Sequence, residues 1–263
     1  MKNLIGTSGL SIKFNEETSE LIFYGDVESV KPDVRELKDM SDVLFDKSAK
    51  YPNEVYYMYR DVYRKEDRGL IREYNLRYDI TVIPPAMLGR EFVKTLGHYH
   101  PEISGTGLTY PEVYEVLNGK AHYLLQRVEK ERVLDVVLIA ASEGDKVLVP
   151  PNYGHITINP FDVPLVMSNW VCPGFSSIYE PIGGKRGGAY FEIDEINNFV
   201  PNGYYGKIPG LKEVGAWDVE EFGLVKNTPM YTSFLSNPER FRFLAHPEDY
   251  EEIFKMVLSD WFF

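Results

Sequence analysis

From Glu91 to about Trp170 the chain alternates short apolar, β-prone runs with turn residues. Val113–Leu117, Ala121–Val128, Arg132–Ala140, Lys146–Val149, His155–Asn159 and Leu165–Trp170 are separated by Asn118-Gly119, Ser142-Glu143-Gly144, Pro150-Pro151 and Phe161-Asp162. Many short strands with turn chemistry between them argue for a sandwich or barrel of jelly-roll type. No helix-length pattern interrupts the region, which counts against a parallel α/β sheet.

The flanks are less regular. Strands are expected at Leu10–Phe14, Glu20–Tyr24, Val55–Val62, Leu76–Ile83 and Ala189–Asp194. Leu37, Met40, Val43 and Leu44 make a stripe that predicts a short amphipathic helix within Asp33–Asp46. Arg64–Glu73 is charged, contains Gly69, and reads as a solvated turn. Gly183–Gly188 lacks the GxxxxGK[ST] spacing of a phosphate-cradling loop and reads as a mobile loop or hinge. Residues 201–237 predict an extended arm on the body. Pro247 opens a helix whose Tyr250, Ile253, Phe254, Val257, Leu258 and Trp261 form a stripe that the body or a second subunit must cover. The expected architecture is an all-β core over residues 1–195, with an added N-terminal segment, and a helical C-terminal extension over 196–263.

A formal charge of −12 argues against nonspecific nucleic-acid or anionic-membrane binding. An acidic chain that handles an anionic substrate must do so with donors placed inside a pocket. One cysteine, Cys172, rules out an intrachain disulfide framework and fits a reducing cytoplasm. The N-terminus has no signal-peptide pattern, and no apolar run is long enough to span a membrane.

The chemistry centres on Gly97-His98-Tyr99-His100. On a strand, residues two apart share a face, so both imidazoles project into one space. Glu112 opens the strand that ends at Asn118-Gly119, and His155 follows Gly144, Pro150 and Tyr153. His98, His100, Glu112 and His155 form a candidate metal site of three nitrogens and one carboxylate. His122 and His246 read as structural or surface residues, and Lys94 and Lys120 as solvated ones.

The spacing HxH, then E-x6-G from Glu112 to Gly119, then Gly144, Pro150, His155 and Asn159 resembles the two cupin motifs. There are departures. Asn152 replaces the usual glycine after Pro150, Phe92 stands where a glycine precedes the first histidine, and a longer loop, Pro101–Pro111, separates His100 from Glu112. More narrowly, residues 8 to 185 resemble the cupin-type glucose-6-phosphate isomerases of archaea and some bacteria. The resemblance rests on Val55–Tyr59, Ile80–Ile83, Thr95–His100, Pro111–Tyr114, Leu124-Leu125-Gln126 and Val149-Pro150-Pro151 with His155, Thr157, Ile158 and Asn159.

The resemblance implies a cupin barrel, metal ligation by His98, His100, Glu112 and His155, and a phosphate subsite of Thr81, Thr95 and the Gly97 backbone. Tyr56, Tyr114 and Tyr179 would line the sugar pocket, and Ser177 stands near the place of a family histidine. It also implies a homodimer and a sugar-phosphate substrate. Four protein ligands leave open positions only on a five- or six-coordinate ion, so Fe²⁺ is favoured, with Mn²⁺, Ni²⁺ or Zn²⁺ as alternatives. Glu112 is the candidate base for a cis-enediol route between glucose 6-phosphate and fructose 6-phosphate, with His155 beside it; a hydride shift is the other route. A metal-dependent oxygenase acting on a small acid and a non-catalytic sugar-phosphate-binding cupin are the competing readings.

Overall fold

The strand signals resolve into two large, mainly antiparallel sheets in the structure, a computed structural model that describes residues 1–195 and 198–261. Among the described residues each large sheet has six strands. The first runs Lys146–Val149, Glu112–Asn118, Leu165–Val171, Arg77–Ile83, Glu54–Tyr59 and Asp33–Glu36 in spatial order. The second runs Lys212–Gly215, Arg132–Ser142, Lys120–Glu129, Gly154–Asn159, Glu91–Lys94 and Met87–Leu88. Chain neighbours lie in different sheets repeatedly, which is the crossing pattern of a jelly-roll barrel. The fold is an all-β cupin core with a C-terminal helix, Glu251–Asp260.

The first sheet is buried on both faces, for two different reasons. Inner residues such as Tyr56, Tyr114, Val116 and Met167 join the barrel core with Leu124, Ile156 and Ile158 of the second sheet. Alternate residues Tyr78, Ile80, Val82, Val113, Leu117 and Trp170 point outward into a second apolar cluster. An N-terminal sheet of Lys2–Asn3, Ile12–Asn15 and Glu20–Phe23 covers part of that outer face through Ile12 and Phe14. The C-terminal extension covers the rest. Phe234 packs 4.7 Å from Trp170, Tyr78 lies 4.8 Å from it, and Phe222 stacks on Phe243 at 3.9 Å. Each such ring contributes about 1.5–3 kcal/mol by leaving water.

The extension also enters the barrel. Lys212–Gly215 adds a parallel strand to Arg132–Ser142, and Trp261 packs 5.3 Å from Tyr153. The final helix buries Phe254, Val257 and Trp261 against the body. Its stripe therefore needs no second subunit to cover it. Residues 196 and 197, where the extension was expected to begin, lie outside the described residues, as do Phe262 and Phe263.

Four local expectations change. Asp33–Glu36 pairs with Glu54–Tyr59 as an edge strand, and the helix shrinks to Leu37–Met40, begun by a reciprocal cap between Glu36 and Asp39. Arg68–Glu73 is helical, anchored by buried Ile71. Glu180–Gly184 is a short helix, and a Cβ on Gly188 would sit 2.6 Å from Ile156, so this glycine allows close packing against the barrel. Lys94 is buried in an ion pair with Glu91 and donates to the Val43 carbonyl at 2.9 Å.

Candidate metal centre and its pocket

Backbone pairing brings the histidines together. Gly97 adopts φ +78°, and a Cβ there would meet Ile156 Cγ1 at 2.5 Å, so only glycine fits the turn that ends the strand. Immediately after it, His98 N donates to His155 O at 3.2 Å and His155 N to His98 O at 3.1 Å. Directly paired residues share a face, and the two rings lie 4.4 Å apart. His100 follows two residues on, and Glu112 enters from the neighbouring strand.

The ligand atoms of His98, His100, Glu112 and His155 all lie within 4.8 Å of one another. Nε2 of His98 and Nε2 of His100 are 3.2 Å apart. Glu112 Oε2 is 3.1 Å from His155 Nε2 and 3.4 Å from His100 Nε2, yet it is buried with no well-aligned hydrogen bond. Its other oxygen, Oε1, accepts from Asn169 Nδ2 at 2.6 Å. Burial alone raises the Glu112 pKa, but the close approach of the His100 and His155 rings outweighs it and holds the carboxyl well below its usual range. Burial, then the neighbouring imidazoles, push His98 well below the usual histidine value. Burial also lowers His155. Imidazole nitrogens and a carboxylate with a free oxygen are the donor set that a divalent cation requires.

One cavity joins this cluster to the other expected residues. Tyr56, Thr81, Thr95, Gly97, Tyr114, Ser177 and Tyr179 all line it. Tyr114 Oη lies 3.0 Å from His155 Nε2, and burial raises its pKa well above the usual phenol value. Thr95 Oγ1 accepts the Thr157 N–H at 3.0 Å, so this hydroxyl has a structural bond and still keeps its own hydrogen to donate. Tyr56 Oη accepts from Leu96 N at 3.3 Å, which fixes the ring beside the Thr95–Gly97 turn.

Further residues of the wall were not singled out from sequence. Arg77 and Asp79 lie on the strand of Thr81, at alternate positions, and Asn169 pairs with Asp79 on the next strand. Extending the Thr81 face by twos would have found the first two. Buried Asp79 accepts from Arg77 Nη2 at 2.7 Å and from Arg60 Nη1 at 3.3 Å. The inserted loop 101–111 is tied down as well. Asn152, at φ +71°, accepts from Thr109 N at 3.0 Å and donates its own N–H to Thr109 Oγ1 at 2.7 Å. His100 Nδ1 lies 2.8 Å from the Tyr110 carbonyl oxygen, while Phe175 packs between the His100 and Tyr110 rings at 4.6 and 4.7 Å.

The family model described as glucose-6-phosphate isomerase matches residues 34–205, a span that holds every residue named in this pocket. The chain belongs to the glucose-6-phosphate isomerase family. The isomerase from Thermococcus litoralis is 36% identical over 144 residues, covering 54% of this chain and 70% of that one. The isomerase from Pyrococcus furiosus is 34% identical over 148 residues, with the same coverages of 54% and 70%. Among solved structures, an oxalate oxidase aligns at TM-score 0.28 and 13% identity, over 36% of this chain and 41% of its own. Bacillus subtilis oxalate decarboxylase aligns at TM-score 0.33 and 19% identity, over 49% of this chain and 29% of its own. Likenesses that low carry no argument about the isomerase; its fold stands on its own strand order.

Proposed function

We propose that this enzyme interconverts glucose 6-phosphate and fructose 6-phosphate in sugar catabolism and gluconeogenesis, as a cytoplasmic homodimer holding one divalent ion, Fe²⁺ by preference, per chain. The observation that carries the reading is the family match over residues 34–205, which encloses the four-residue donor cluster and the cavity beside it.

His98, His100, Glu112 and His155 would hold the ion. The buried, unpartnered Glu112 Oε2 supports this fit, because an ionised oxygen without a donor is costly in a protein interior. When bound, the ion supplies Lewis-acid polarisation of the sugar's C1 and C2 oxygens. Thr81, Thr95 and the Gly97 N–H bind the phosphate and fix the register of the carbon chain along the cavity. Tyr56, Tyr114 and Tyr179 close the sugar's flanks and exclude water. Asn169 restrains one Glu112 oxygen and leaves the other directed at the cluster. Glu112, ionised because its pKa is depressed, accepts the C2 proton in the enediol route and returns it to C1; in the hydride route the same carboxylate only orients the substrate.

The test is a coupled assay on fructose 6-phosphate alongside elemental analysis. Chelation should abolish turnover, and restoring Fe²⁺ or Mn²⁺ should recover it. His155→Ala should lose metal and turnover together. Full turnover in metal-free wild-type protein would refute the reading. Deuterium from solvent in product C2 supports the proton route.

A further inference from the structure

The phosphate subsite proposed above offers only neutral donors, two threonine hydroxyls and one backbone N–H, in a chain of net charge −12. A phosphate dianion held there needs a cation. Two arginines of the cavity wall are already engaged by carboxylates: Arg60 bonds Asp33 and Asp79, and Arg77 bonds Asp79. Arg35 is placed differently. It pairs directly with Tyr56 across the two edge strands, so its side chain shares the face that Tyr56 turns toward the cavity. Its guanidinium carbon lies 5.9 Å from the Tyr56 ring centroid and 5.8 Å from that of Tyr179, both cavity residues. Tyr56 in turn holds the Leu96 N–H, between Thr95 and Gly97.

Among the described residues no carboxylate lies within 4.0 Å of the Arg35 guanidinium. Its Nε is buried without a hydrogen-bond partner. Tyr56 is a polar neighbour of the half-buried guanidinium, but an unpaired Nε with no carboxylate beside it is unfavourable until a ligand provides an acceptor and a counter-ion. Its planar fork matches two oxygens of a phosphate.

We propose that Arg35 is the cation of the phosphate subsite, braced by Tyr56 and Tyr179 and gripping the sugar's terminal phosphate opposite Thr81, Thr95 and Gly97. The inference rests on the isomerase reading and adds a specificity residue to it. Arg35 discriminates sugar phosphates from free sugars, while the metal cluster does not.

The experiment compares wild type, Arg35→Gln and Arg35→Lys, all metal-loaded, by calorimetric titration with glucose 6-phosphate, inorganic phosphate and glucose. Arg35→Gln should weaken both phosphates by about 10- to 100-fold, the loss of a charge-assisted pair, and leave glucose unchanged. KM for fructose 6-phosphate should rise with kcat held. Arg35→Lys should fall between, keeping the charge but losing the fork. Unchanged phosphate binding in Arg35→Gln overturns the proposal, and so does an equal loss for glucose and glucose 6-phosphate. Where glucose binds too weakly to measure, inorganic phosphate alone decides. If Arg35→Gln does not fold, as a melting curve would reveal, Arg35→Lys makes the same comparison. A wild type that binds phosphate through Arg35 yet isomerises nothing would end the isomerase reading and keep the anion site, so the two failures separate.

Discussion

Removing the amide of Asn169 tests whether a neighbour outside the donor set governs the metal site. Asn169 Nδ2 donates to Glu112 Oε1 at 2.6 Å, and both residues are buried. Asn169→Leu keeps the volume and deletes the donor, which confines the effect to the hydrogen bond. A bond to a charged group is worth about 1.5–3 kcal/mol, so metal-free protein should lose about 2 kcal/mol. For a chain of this length that lowers Tm by about 4–8 °C. Loss of an orienting partner also weakens metal binding by about 10- to 100-fold. Linkage connects the two quantities: a tenfold loss of affinity adds about 1.4 kcal/mol to the destabilisation measured with metal present. Chelator-competition titration gives the affinity, and melting with and without metal gives the stabilities. If affinity and metal-free Tm both match wild type, Asn169 does not orient Glu112 and the account of the site is wrong.

Other expectations concern separate links. Thr95→Val should raise KM for fructose 6-phosphate about tenfold through a lost hydroxyl donor, against a smaller change for free fructose; equal changes would remove Thr95 from the phosphate subsite. Trp170→Ala, which empties the outer cluster, should cost about 3–5 kcal/mol in chemical denaturation while the folded protein keeps its metal affinity. Glu115 is buried against Lys146 at 2.8 Å, and burial pushes its pKa from 4.5 to about 7. Its folded pKa exceeds the unfolded one, so stability should fall as pH rises from 4.5 through about 7, and Glu115→Gln should flatten that slope in denaturation between pH 5 and pH 8.

The barrel and its donor cluster were legible because both follow from local rules. A period of two places His98 and His100 together, and turn residues delimit the strands. What was not legible depends on partners distant in sequence. Lys94 reads as solvated until the distant Val43 carbonyl closes over its pair with Glu91. The Leu37–Leu44 stripe has helical spacing, yet the residues just before it gain more by pairing with Glu54–Tyr59. Arg77 and Asp79 look like ordinary strand charges until Arg60 completes a network inside the cavity. The aromatic residues of the extension have no readable address, because the surface they cover is the back of a sheet whose strands lie far upstream in the chain.

The inserted loop has a chemical consequence. A carbonyl oxygen can only accept, so the contact between Tyr110 O and His100 Nδ1 obliges Nδ1 to carry the ring hydrogen. Nε2 is then left as the bare lone pair turned toward Glu112 and His98. The segment that lengthens the path from His100 to Glu112 thereby selects a tautomer. A backbone cut between Gly105 and Gly107 would leave every donor in the sequence, yet free the imidazole to turn over and present hydrogen where an electron pair is required.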